Sequence, residues 1–136
     1  MIKSEAQRDR TLAQIDGFRQ ALAKVEQETS GKRAAVLAAS YQSMLRDLED
    51  QVREYDGLKS GELALPKVER LDEVAPFITR IRIAKGISQT ELGRRLGVSK
   101  QVISRYEESD YQTVGMAKLQ EILDAMGAKA LVTLSA

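Results

Sequence analysis

The stretch SQTELGRRLGVSKQVISRYE, Ser88 to Glu107, constrains this chain more tightly than any other part of it. Two short segments with apolar residues at helical spacing are hinged there on Gly97. The first opens on Ser88-Gln89-Thr90-Glu91, an S-x-x-E capping box: the serine hydroxyl accepts from the Glu91 amide, and the glutamate reaches back to the serine amide. Ser99 caps the second. Helices joined by so short a turn cross steeply and touch near its start. That contact demands a small residue in the first helix, Gly93, and a turn residue able to take positive φ, Gly97. Leu92, Leu96, Val98, Ile103 and Tyr106 then lock the pair.

The flanks extend the same pattern. Asp72 or Ala75 can cap a helix that carries Pro76 in its first turn, turns Ile78 and Ile81 inward and ends at Gly86. A later helix spans about Val114 to Met126, with Leu119, Ile122, Leu123 and Met126 as its stripe and Gly127 as its stop. The tail KALVTLSA (residues 129–136) reads as a single β-strand. A strand alone leaves its backbone groups unpaired, and pairing with the same strand of a second subunit resolves this. Charge is concentrated in this half. Arg80, Arg82, Lys85, Arg94, Arg95, Lys100 and Arg105 face only Glu91, a local net of +6 on a chain of net charge +1. That is the footprint phosphate binding needs.

On these residues, ISQTELGRRLGVSKQVISRYE resembles the Cro/cI-type (XRE) helix-turn-helix family of repressors and regulators, over roughly residues 72–127. The resemblance implies a lambda-repressor-like bundle of about five helices that binds operator DNA as a homodimer, with the last helix replaced here by the strand. Glu108-Ser109-Asp110-Tyr111 departs from the Asn-Gly that many members carry at this point. The helix from Ser99 to Glu108 is expected in the major groove with its start toward base edges. Lys100, Gln101, Ser104 and Arg105 are the candidate base contacts: lysine and arginine suit guanine, and glutamine suits adenine. Gln89 matches the family glutamine that clamps a phosphate, and Arg95 and Ser99 add backbone contacts. Tyr106, Tyr41 and Tyr55 read as core or seam residues rather than stacking platforms.

The first half reads as an antiparallel helical hairpin. One helix, about Ser4 to Glu28, carries Leu12, Ile15, Phe18, Leu22 and Val25; Thr29 to Lys32 breaks it. A second, about Arg33 to Lys59, carries Tyr41, Leu45, Leu48, Val52 and Tyr55 in a coiled-coil-like seam. Two helices bury too little alone, so the stripes need a second copy, the other half of the chain or another protein. The expected organisation is thus a mainly α chain: hairpin 1–60, linker 61–71 around Pro66, and DNA-binding domain 72–136. This layout is similar to that of HigA-type antitoxins, which implies a repressor of its own toxin–antitoxin operon with a toxin as partner. A stand-alone repressor, whose hairpin only oligomerises or senses an effector, is the alternative.

The 136 residues contain no cysteine and no histidine, which excludes disulfides and thiolate zinc sites and removes the commonest general base. There is no glycine-rich phosphate loop, and an enzyme, a metal site or a cofactor is not expected. The charged start MIKSEAQRDR has no apolar signal-peptide core, and apolar runs fall far short of the ~20 residues that span a bilayer. A cytoplasmic protein without membrane contact is expected.

Overall fold

Ser4 opens the chain's first helix by accepting a hydrogen bond from the Gln7 amide at 3.2 Å. In this computed structural model, which describes residues 1–28 and 30–136, six α-helices follow one another: α1 Glu5–Glu28, α2 Lys32–Ser60, α3 Ile78–Ala84, α4 Gln89–Leu96, α5 Lys100–Glu108 and α6 Met116–Met126. The chain divides into two units, Met1–Gly57 and Leu58–Ala136.

In the first unit α1 and α2 run antiparallel. Arg8, near the start of α1, makes a two-pronged ion pair at 2.6 and 2.9 Å with Asp56, near the end of α2. Arg19 reaches Glu49 at 2.7 Å, and the Phe18 and Tyr41 rings meet with centroids 5.9 Å apart. Ile15, Leu45 and Tyr55 are buried, as the stripes require, while Leu12 stays exposed. Of the predicted break at Thr29–Lys32, Thr29 lies outside the described residues; Gly31 has a left-handed φ of 95° and the helix resumes at Lys32.

The second unit is built around one cluster. Ala75, Ile78, Ile87, Leu92, Ile103, Tyr111, Ile122, Leu123 and Met126 are buried together, with Ile81, Leu96, Val98, Tyr106 and Leu119 packed on their edge. Pro76 sits in a 3-10 turn, Ala75–Phe77, that leads directly into α3. A proline is tolerated there because first-turn amides lack helical partners anyway. Left-handed Gly97 (φ 71°) closes α4, and Gly127 (φ 64°) closes α6. Residues 61–70, around Pro66, form neither helix nor strand.

One finding departs from the sequence reading. Residues 129–136 are not a strand: they hold no regular structure, and among the described residues there is no strand at all. The reason is the one that made a lone strand suspect, since a single extended segment finds no ladder partner within its own chain. The tail stays open to solvent, with Leu131 94% and Leu134 89% exposed. A separate feature follows α5, where Asp110 (φ 50°) and Tyr111 (φ 57°) both take left-handed backbone. Tyr111 holds this conformation by burying its ring completely against Tyr106, at a centroid distance of 5.8 Å. Exposed Asp110 has no such compensation. Asp110→Gly is therefore expected to stabilise the second unit by about 0.5–1 kcal/mol in denaturant titrations, because glycine has no Cβ to crowd that backbone.

Candidate nucleic-acid interface

The two capping serines place the interface. Ser88 accepts from the Glu91 amide at 3.0 Å and Ser99 from the Val102 amide at 3.4 Å, so each hydroxyl satisfies one orphan donor at the start of its helix. Only half of the expected capping box forms. The Glu91 carboxylate does not return to Ser88; it takes Arg94 at 2.6 and 2.9 Å and Arg95 at 3.0 Å. Those hydrogen bonds, Arg94 first, draw the Glu91 carboxyl down to about 2, so the exposed cluster persists until pH falls toward that value.

α4 and α5 meet through Gly93. A Cβ built there would lie 2.7 Å from the Val98 carbonyl oxygen and 3.3 Å from Ser99 backbone atoms. Leu92 and Ile103 are completely buried on the inner side of the contact. The outer face of α5 is thereby turned to solvent.

The candidate base contacts fall on that face. Lys100, Gln101 and Arg105 are exposed, and among the described residues their side chains have no hydrogen bond or ion pair; Ser104 is half-buried beside them. The first turn of α5 contains no acidic residue to complement the helix dipole, and Lys100 adds positive charge at its positive end. That placement does nothing for helix stability, and it concentrates positive potential at the solvent-facing start of α5.

The candidate phosphate contacts are more varied. Ser99 is exposed and occupied as a cap. Arg95 donates to Glu91 and, at 3.0 Å, to the Ala125 carbonyl near the end of α6. Gln89 is 8% exposed and donates its amide to the Glu107 carboxylate at 3.0 Å. The seven basic residues do not form one free patch. Lys85 caps the Gly127 carbonyl at 3.1 Å, and Arg80 lies over the Phe77 ring at 5.4 Å and donates to the Pro76 carbonyl. Arg82 is buried in a two-pronged pair with Glu107. Among the described residues, Lys100 and Arg105 are the members of the group whose side chains engage nothing.

Sequence reasoning missed the Arg82–Glu107 pair, though a signal was present. Arg82 follows buried Ile78 by four residues, and Glu107 follows buried Ile103 by four, so each charge sits on an apolar stripe. Opposite charges at two core positions pair more readily than either stays buried alone.

No group of three or more His, Cys, Asp or Glu side chains is placed to hold a metal among the described residues, and no described helix is long and apolar enough to cross a membrane. Comparison with known families matches residues 78–132 to the helix-turn-helix family. Neither the curated proteins nor the solved structures give a match. The matched segment runs from the first residue of α3 through α6 into the tail, and so contains both capped helices, the Gly93 contact and the solvent-facing side of α5. Residues 78–132 are thus similar to helix-turn-helix domains, over less than half of the chain.

Proposed function

We propose that the chain is a sequence-specific, cytoplasmic transcription repressor that reads operator DNA with α5. The observation that carries this reading is the unengaged outer face of α5, where Lys100, Gln101 and Arg105 stand free while the neighbouring cations are tied up. Lysine and arginine donate to guanine O6/N7, and the glutamine amide offers the donor–acceptor pair that adenine N6/N7 requires. Ser104 lies between them, and Gln89, Arg95 and Ser99 flank them toward the phosphates. The test is enrichment of duplexes from a random-sequence library by the protein. Lys100→Ala with Gln101→Ala is expected to weaken the enriched duplex by about tenfold or more per lost contact, since each is worth about 1–3 kcal/mol. Unchanged affinity and sequence preference in a folded double variant overturns the reading.

The repressor acts as a homodimer through its tail. Leu131, Val132 and Leu134 are exposed, and the tail forms one wall of a groove of about 600 Å³ that mixes apolar Leu71, Phe77 and Leu123 with charged Lys67, Glu69 and Arg70. Removing residues 129–136 is expected to convert dimer to monomer in sedimentation; a dimer that survives truncation places the contact elsewhere.

A second reading, an antitoxin that represses its own operon and masks a toxin, is favoured by one feature of the first unit. Val36 is 71% exposed on α2, and Leu37 and Met44 are exposed on the same helix, the kind of face that docks in a partner's groove. Co-expression with the product of the adjacent gene tests it. A stable complex lost on Val36→Asp with Met44→Asp supports the antitoxin; tight operator binding with no such complex leaves a stand-alone repressor.

A further inference from the structure

We propose that Arg82 and Glu107 are positioning residues for DNA binding, which hold the Gln89 side chain ready at the start of α4 before DNA arrives. The inference rests on the reading of α4 and α5 given above. Four hydrogen bonds define the arrangement. Glu107 Oε1 accepts from Arg82 Nε, and Glu107 Oε2 accepts from both Arg82 Nη2 and Gln89 Nε2, each at 3.0 Å. Arg82 Nη1 donates to the Ile87 carbonyl at 2.8 Å. Three helices meet at one carboxylate: α3 through Arg82, the start of α4 through Gln89, and the last turn of α5, which carries Glu107 itself.

The arginine alone already meets both oxygens of Glu107, so the carboxylate does not require Gln89. A purely structural site at this position is better filled by an apolar side chain, because a buried amide must find partners for every polar atom. Gln89 supplies one hydrogen to Glu107 and keeps its second amide hydrogen and its carbonyl oxygen. It retains 8% exposure at the first position of α4. A glutamine left free would lose rotamers on contact with DNA. One already fixed by a buried ion pair loses none, which is how preorganisation raises affinity. Because the side chains of Arg82 and Glu107 are 3% and 0% exposed, neither can touch DNA itself, and any effect they exert on binding passes through what they hold.

The test uses the full chain and the duplex that the wild-type protein enriches from a random-sequence library. Arg82→Met/Glu107→Met replaces the buried pair with apolar side chains of similar length, a change that folded proteins tolerate. It is expected to weaken binding about tenfold, as Gln89→Ala does, and adding Gln89→Ala to it is expected to cause no further loss. A merely structural pair predicts wild-type affinity in the folded double variant; that result, or a fully additive loss in the triple variant, overturns the proposal. Should the double variant not fold, the wild-type protein decides. A Gln89 side-chain amide as ordered by NMR relaxation as the backbone, in the absence of DNA, supports the proposal; a freely averaging one overturns it. If no duplex is enriched, or Lys100→Ala/Gln101→Ala binds like wild type, the α5 reading has failed and this inference falls with it. If those two residues matter and the Met pair does not, the positioning role alone is wrong.

Discussion

Gly93→Ala is expected to lower the stability of the second unit by about 2 kcal/mol and to abolish specific DNA binding. The new Cβ would sit 2.7 Å from the Val98 carbonyl oxygen, a backbone atom that cannot rotate away. Alanine gains about 1 kcal/mol over glycine in helix propensity, and the overpacking of about 1–3 kcal/mol, at its upper end for a backbone clash, outweighs it. For a unit of this size the loss corresponds to a melting point about 8–16 °C lower. Relief of the clash requires α4 and α5 to separate, which carries Lys100 and Gln101 away from the residues at the start of α4. The same substitution at Gly17, mid-helix in α1 with nothing within 4 Å, is expected to act in the opposite sense and stabilise by about 1 kcal/mol. Calorimetry of both variants checks the pair. A stable Gly93→Ala protein with intact DNA binding shows that the helix contact does not depend on close approach.

Removal of one partner of the buried pair is expected to be worse still. Arg82→Ala or Glu107→Ala leaves an uncompensated charge beside a fully buried core, at a cost of about 3–5 kcal/mol. The Glu107 change also strips the acceptor from Gln89, and the Arg82 change the donor from the Ile87 carbonyl. Arg82→Met/Glu107→Met, by contrast, is expected within about 1–2 kcal/mol of the parent, because the desolvation of both ions vanishes with them. Denaturant midpoints of the three variants give the comparison. Single variants as stable as the double variant are incompatible with a buried, mutually dependent pair.

The local part of this architecture was legible from residue types. Ser88 and Ser99 marked the starts of α4 and α5, and Gly97 and Gly127 the ends of α4 and α6, because a cap or a left-handed residue acts within one helical turn. Gly93 announced a close approach, since a mid-helix glycine otherwise costs stability. The interface was legible only in outline. Seven cations in 26 residues suggested a broad basic patch, yet Arg82, Lys85 and Arg95 meet Glu107, Gly127 and Ala125, all 25 or more positions along the chain. The acceptors for Lys85 and Arg95 are backbone carbonyls, which no pattern of residue types marks.

The tail shows the opposite limit. KALVTLSA has strand composition, but a strand is a relation between two segments, and no other strand is present among the described residues. What the sequence determined alone were the helices, the Ser88 and Ser99 caps and the close crossing of α4 and α5, since each depends on forces that act over a few residues; the expected cap at Asp72 or Ala75 does not form, and Phe77 precedes α3 without a side-chain cap bond. Only the tertiary structure decided which charges remain unengaged. It brings Glu107 and two distant carbonyls against Arg82, Lys85 and Arg95, and it leaves Lys100, Gln101 and Arg105 exposed on α5 with no side-chain hydrogen bond or ion pair among the described residues.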